Sequence, residues 1–119
     1  MSDDLIEFLN ARLDEDEELV ETIRSGGFPA PTWTTEPAKG GRWEILREAD
    51  DPTPLGYVTH GRREHVHIAR HDPARVLREV TAKRAILDAV GYDDREAVAG
   101  HLAAVYSDHP DYRKEWAAA

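Results

Sequence analysis

The sequence contains no cysteine and a single methionine. The lack of cysteine excludes disulfide bonds and every metal site that depends on thiolate ligands. The sequence also lacks an apolar run near the roughly eighteen residues that a membrane helix needs, and it lacks a charged-then-apolar leader. We therefore expect a cytoplasmic protein without a membrane span, and its 119 residues predict one domain, 1–119, with one core.

Recognisable catalytic motifs are also missing. The pairs Gly26-Gly27 and Gly40-Gly41 are not followed by the Lys-Ser/Thr of a phosphate-binding loop. The sequence has neither the HExxH pattern of zinc peptidases nor the nucleophile elbow of serine hydrolases. It therefore calls for no cofactor, and whether the protein is an enzyme stays open.

Charge is abundant and unevenly distributed. Fifteen Lys and Arg residues against 24 Asp and Glu residues give a net charge of −9, which argues against direct nucleic-acid binding because that needs a cationic surface. Residues 1–24 carry nine acids against two bases, whereas residues 61–84 carry seven bases against three acids. These segments could attract each other, or they could be two solvated faces that differ in sign.

The first long amphipathic segment predicts a helix over residues 3–24. Its apolar residues recur at helical spacing, and the acids in its first turn suit the positive end of the helix dipole. Ser25-Gly26-Gly27 is expected to end this helix, because glycine adopts the left-handed geometry that a helix C-terminus often needs.

A second long helix is predicted over residues 73–90. Asp72 is a favoured N-cap, and Pro73 loses nothing at the first helical position because its missing N–H would be unpaired there. Gly91 is expected to end the helix.

Two shorter helices are predicted at the C-terminal end. The spacing of Asp93 and Glu96 is that of a capping box, with Asp in place of Ser or Thr, and opens a third helix over 93–107. Pro110 is expected to open a short terminal helix.

Strands are predicted between the two long helices, at residues 42–48, 55–59 and 63–70, with a further short strand possible around Trp33. The connections are short, and His60-Gly61 suits a tight turn, so antiparallel pairing is expected. The predicted fold is α+β: two long helices packed on one face of a small three-stranded antiparallel sheet, plus shorter C-terminal helices.

Four charged residues fall inside the apolar stripes of the two long helices. A charge on a buried face must be paired or reach solvent. Burying it alone costs roughly several kcal/mol, even after the surrounding protein has relaxed. The side chains can extend to solvent at the edge of the stripe, or they can form a buried cross-helix cluster with Asp16 as the acid. The candidates for that cluster are Arg12, Asp16, Lys83 and Arg84.

Histidines supply the second set of candidates. In a strand over 63–70, His65 and His67 would share one face, and such a pair can chelate Zn²⁺. His71 and His109 each precede a predicted helix, and we expect them to lie near each other, with the aromatic tail, Tyr112 and Trp116, docked where the strand meets the second long helix. The candidates for a ligand, metal or partner site are therefore His67, His71, Asp108, His109, Tyr112 and Trp116. Helix caps and exposed polar residues would explain the same pattern without a site.

Three blocks of the sequence resemble an uncharacterised family of small proteins from actinobacteria and their phages. The blocks are RLDEDEE at 12–18, HIARHDPARVLREVTAKRAIL at 67–87 and YSDHPDYRKEW at 106–116. The resemblance implies no activity. It implies that the blocks containing Asp16, His67, His71, Arg84 and His109 are recurring motifs, whether for folding or for chemistry.

Three functions remain open at this point. The first is a non-enzymatic interaction module for an unidentified protein partner, with Trp33, Tyr57 and Trp116 as contact residues, since aromatic residues are enriched in binding hot spots. The second is a small metal-assisted hydrolase or lyase that uses the histidines and nearby carboxylates. The third is an acidic phage-type inhibitor that mimics DNA. The first is preferred, because non-catalytic explanations cover every motif. The sequence does not indicate an oligomeric state.

Overall fold

The structure is a computed structural model that describes residues 2–23, 31–41, 43–49, 54–59 and 63–117. Its α-helices are α1 (Ser2–Ile23), α2 (Glu64–Arg70), α3 (Pro73–Ala89) and α4 (Tyr92–Ala103), and its strands are β1 (Trp33–Pro37), β2 (Trp43–Glu48) and β3 (Pro54–Thr59). Two short 3₁₀ helices follow, Ala104–Tyr106 and Lys114–Ala117. The predicted α+β class, with a three-stranded antiparallel sheet and packed helices, is confirmed.

The chain divides into two compact units. Unit 1 comprises residues 1–18 and 79–119, and unit 2 comprises residues 19–78. Both boundaries fall within helices, since α1 and α3 each contain residues of both units. Within the described ranges, no helix is both long enough and apolar enough to cross a bilayer.

The core of unit 1 lies between helices. The apolar stripe of α1 supplies Leu9 and Leu13, which are fully buried, and α3 contributes Val80 and Leu87. The predicted packing of the two long helices on each other is therefore seen in this unit. The small buried residues of α4 complete the core, where they allow the helices to approach closely: Ala99 and Ala103.

Unit 2 contains the sheet, with strand order β1-β2-β3. Trp33 pairs with Glu48 and Pro37 with Glu44 across β1 and β2, and the connecting turn includes Gly40 and Gly41 at φ values of 99° and 72°. Such positive φ angles favour glycine. The β2–β3 pairing contains an irregularity between Leu46 and Arg47. Helix α2 packs against all three strands.

The prediction of a strand over 63–70 is wrong, because Glu64–Arg70 is helix α2. It begins after Arg63, whose φ of 68° turns the chain sharply into the helix. Exposure follows a helical period: Glu64 and His67 are exposed, whereas the intervening His65 and Val66 are partly buried. The sheet is completed instead by β1, which begins at Trp33.

Two predictions for the C-terminal part are also corrected. Helix α4 begins at Tyr92, and its N-cap Gly91 makes no side-chain hydrogen bond, so Asp93 and Glu96 do not form a capping box. The segment after Pro110 begins as a turn and becomes a 3₁₀ helix only at Lys114. The predicted helix end at 25–27 and the turn at 60–61 lie outside the described residues.

Candidate functional site

An open groove of about 710 Å³ lies along the first turns of α1 and α4 in unit 1. Its apolar part is Ile6, and the side chain of Tyr92 stands 92% exposed beside it. The lining residues are Asp3, Ile6, Glu7, Tyr92, Asp93, Arg95 and Glu96. The groove thus combines an apolar surface with a mainly acidic rim.

A smaller cavity of about 350 Å³ shares two of these residues, Asp93 and Glu96. It adds the apolar surface of Leu5 and Trp116 and a further carboxylate, Glu115. We call the two cavities together the acidic groove. Among the described lining residues the one base is Arg95, which donates a hydrogen bond of 2.8 Å to the main-chain oxygen of Leu87 and so is partly committed to α3.

The aromatic tail that forms one end of this groove docks on α1. The Phe8 ring lies 5.1 Å from the Trp116 ring and 5.8 Å from the Tyr112 ring, centroid to centroid. Tyr112 and Trp116 also meet edge to face, 5.5 Å apart, a geometry that aromatic pairs prefer. The Trp116 indole nitrogen is buried and makes no hydrogen bond within the described part of the chain. The tail therefore serves the core of unit 1 as well as lining the groove.

His109 belongs to the same cluster and is held by hydrogen bonds. Its Nδ1 lies 3.0 Å from the Arg12 guanidinium and 3.0 Å from the main-chain N–H of Asp111. Both neighbours can only donate, so Nδ1 accepts and the neutral ring carries its proton on Nε2. The ring also packs edge to face against Phe8, at 5.6 Å. This nitrogen is therefore already engaged within the protein.

The four charged residues predicted to cluster are distributed over different partners. Arg12 is buried, with 8% exposure, and forms an ion pair of 2.9 Å with Glu15. Arg84 is half-buried and bridges Asp14 and Glu17 at 2.6 and 2.7 Å. Both arginines thus form ion pairs with acidic residues of α1.

Among the described residues, Asp16 has no base within ion-pair distance. Its carboxylate accepts a hydrogen bond of 2.7 Å from the Tyr106 hydroxyl, and Lys83 lies 5.3 Å from the centre of the same ring. Burial raises the pKa of the Tyr106 hydroxyl above its ordinary value, and the Asp16 carboxylate raises it further. Tyr106 therefore contacts both Asp16 and Lys83, a link that the sequence does not predict.

The remaining candidates lie elsewhere. His67 and His71 belong to unit 2, where their rings are 4.4 Å apart, while Asp108 is an exposed residue of unit 1. Because His71 and His109 belong to different units, their expected proximity stays a prediction. Among the described residues, no group of three or more His, Asp or Glu side chains is placed to hold a metal ion.

Two positions in unit 2 combine burial with polar chemistry. Glu44, which the sequence did not single out, is only 6% exposed and lies 3.9 Å from the His65 ring. Asp72 is 7% exposed and accepts main-chain hydrogen bonds from Arg75 at 2.8 Å and Trp33 at 3.1 Å. The predicted N-cap is confirmed, and the same carboxylate also ties α3 to β1. Trp33 and Trp116, two of the three aromatic residues proposed as partner contacts, are partly buried, and the side chain of the third, Tyr57, is not among those described.

The comparisons with known proteins place the chain in a family without assigning it an activity. The model of DUF6221, a family of unknown function, matches residues 2–118. The chain belongs to this family. Neither a curated protein nor a solved structure matches it. The three sequence blocks described above, at 12–18, 67–87 and 106–116, all lie within the matched range. Family membership therefore explains the resemblance of these blocks but does not identify their role.

Proposed function

We propose that this protein is a small cytoplasmic interaction module whose acidic groove receives a cationic, partly apolar segment of a partner protein. The observation that carries the proposal is the composition of the groove. Ile6 and Trp116, both partly exposed, line it together with an exposed tyrosine and five carboxylates, and Leu5, which is only 3% exposed, lies at its base in contact with the core. A tyrosine beside a groove offers large contact area at low entropic cost.

Charge complementarity selects the occupant. Among the described lining residues, five carboxylates outnumber one basic side chain, Arg95, so the groove keeps a net negative charge. A segment rich in Lys or Arg would be attracted to this rim, whereas an acidic segment or nucleic acid would be repelled. The apolar surface would then hold one or two hydrophobic side chains of the same segment, as occurs when an amphipathic helix lies in a groove.

The two alternative functions receive less support. A metal-assisted hydrolase needs a ligand set, and His109 already uses its Nδ1 for Arg12 and the Asp111 backbone. An acidic inhibitor of a DNA-binding protein is compatible with the charge of −9 and with the actinobacterial or phage origin that the resemblance suggests. That alternative becomes one outcome of the experiment below.

The experiment replaces Tyr92 by a photo-crosslinking amino acid and irradiates cells that express the protein naturally. We expect one specific partner to be captured. The double variant Glu7→Lys/Glu96→Lys should lose it, because the rim becomes cationic. The matched control Glu18→Lys/Asp88→Lys makes the same charge change at exposed residues outside the groove and should keep it.

Three results would contradict the proposal. No specific capture, or capture that both double variants abolish equally, would mean that the groove is not the site. Capture of a DNA-binding protein that excess DNA displaces would instead support the inhibitor function.

A further inference from the structure

The helical assignment of residues 64–70 changes which histidines are neighbours. In a strand, His65 and His67 would share a face, but in α2 they point to different sides. His67 and His71 are instead one helical turn apart, and both are exposed. Their ring centroids are 4.4 Å apart and their planes are inclined by 41°. Two imidazoles are thus held side by side at the surface of unit 2.

A hydrogen bond fixes the state of the second ring. The Nδ1 atom of His71 lies 2.8 Å from the main-chain oxygen of His67. A carbonyl oxygen can only accept, so Nδ1 carries the proton and the Nε2 atom of the neutral ring keeps its lone pair. Histidine ligands in metal sites are oriented in this way, with one ring nitrogen donating to a carbonyl and the other binding the ion.

Within the described part of the chain, the His67 side chain contacts the His71 ring and makes no hydrogen bond. Both of its ring nitrogens are therefore open to a ligand.

We propose that His67 and His71 chelate one divalent late transition-metal ion, with one nitrogen from each ring and water in the remaining positions. Histidines at i and i+4 on a helix converge on a single zinc ion in metallopeptidase motifs. His71 is the C-cap of α2, and its main-chain N–H still donates to the His67 oxygen at 3.2 Å, so the pair keeps this spacing. Imidazole binds Cu²⁺ and Zn²⁺ well, and Cu²⁺ more tightly. Among the described residues, no third His, Asp or Glu is grouped with these two histidines, so the described part of the site supplies two ligands and leaves the remaining positions to water or a further ligand.

This site is independent of the proposed function, since none of its residues lines the acidic groove. The test is a calorimetric titration of the untagged protein with Cu²⁺ alone, repeated with Zn²⁺. Electron paramagnetic resonance of the Cu²⁺ complex then counts the coordinating nitrogens. We expect one ion per chain with two imidazole nitrogens, and weaker binding of Zn²⁺ than of Cu²⁺.

The decisive variant is His67→Ala. It removes one ring but keeps the main-chain oxygen that orients His71, so its effect does not depend on a loss of structure. We expect it to weaken Cu²⁺ binding by about tenfold or more, on the scale of a lost contact in a metal site, and to leave one coordinating imidazole nitrogen. His71→Ala should behave alike, with its fold checked by circular dichroism. His101→Ala, at an exposed histidine of α4, is the matched control and should bind as the wild type does.

Absence of Cu²⁺ binding by the wild type would overturn the proposal. So would equal binding by wild type and His67→Ala, or an unchanged number of coordinating nitrogens in that variant.

Discussion

Tyr106 shows how a single hydroxyl can replace an expected ion pair. The position of Asp16 inside the apolar stripe of α1 predicts a buried partner, and a base on α3 is the natural candidate from sequence. The structure provides the Tyr106 hydroxyl instead, which donates to Asp16 at 2.7 Å. Tyr106 lies in a 3₁₀ helix, 90 positions further along the chain. A helical wheel identifies a residue that needs a partner, but it cannot identify a partner that only tertiary packing brings near.

This contact predicts a dependence of stability on alkaline pH. Burial and the Asp16 carboxylate raise the folded-state pKa of Tyr106, so its contribution is fully present below the ordinary value of 10.0. Above that value the unfolded chain loses its proton first, and the free energy of unfolding falls as pH rises. We expect a loss of about 1 kcal/mol at about pH 11 from this residue, after a discount for partial solvent exposure.

The measurement is urea unfolding at about pH 8 and about pH 11. Tyr106→Phe should lose less stability between the two than the wild type. Tyr92→Phe is the control, because Tyr92 is 92% exposed, and it should follow the wild type. Equal losses in wild type and Tyr106→Phe would show that Tyr106 titrates alike in both states.

For the helices, length decided which elements could be predicted. The long helices α1 and α3 repeat their apolar pattern over several turns, so their existence and near boundaries could be predicted from sequence. Helix α2 has only seven residues, and Val66 and Ile68 fit an alternating strand as well as a helix. The packing of α2 against the sheet decides between the two, and that information is not local.

The same ambiguity affected the candidate site. Reading residues 63–70 as a strand pairs His65 with His67, whereas the helix pairs His67 with His71. The acidic groove escaped prediction for a different reason. Its walls come from α1, α4 and the tail, and no sequence motif marks the lining residues, whose convergence depends on helix packing.

Asp72 gives the prediction that belongs to this level. Its carboxylate caps α3 through the Arg75 N–H and also accepts from the Trp33 N–H of β1. Asp72→Ala removes the cap and leaves a second donor without its partner, so we expect a loss of about 2 kcal/mol in the free energy of unfolding, more than the roughly 1 kcal/mol of a cap alone. Chemical denaturation measures it.

The matched control is Asp93→Ala in the first turn of α4. That side chain is exposed and makes no capping hydrogen bond, so its removal should change stability by less than about 0.5 kcal/mol. A loss in Asp72→Ala no larger than in Asp93→Ala would mean that the two hydrogen bonds of Asp72 contribute nothing net.

For the whole molecule, the division into two units raises the question of how the chain unfolds. Both boundaries fall inside helices, at residues 18–19 of α1 and 78–79 of α3. Unfolding one unit alone would cut both helices and create new ends, each with about four unpaired main-chain groups, and would interrupt the cooperative propagation of helix structure.

We therefore expect 1–119 to unfold as one cooperative domain, with a single urea transition. The tryptophans allow the units to be followed separately, because Trp33 and Trp43 lie in unit 2 and Trp116 lies in unit 1. Trp33→Phe/Trp43→Phe leaves a fluorescence reporter of unit 1, and Trp116→Phe leaves reporters of unit 2. Since the substitutions themselves alter stability, the fluorescence midpoint of each variant is compared with the midpoint from its own far-ultraviolet circular dichroism, which follows the helices of both units.

Coincident midpoints in each variant are the mark of two-state unfolding. A fluorescence midpoint that differs from the dichroism midpoint in either variant would show that one unit can unfold while the other stays folded, and the single-domain prediction would then be wrong.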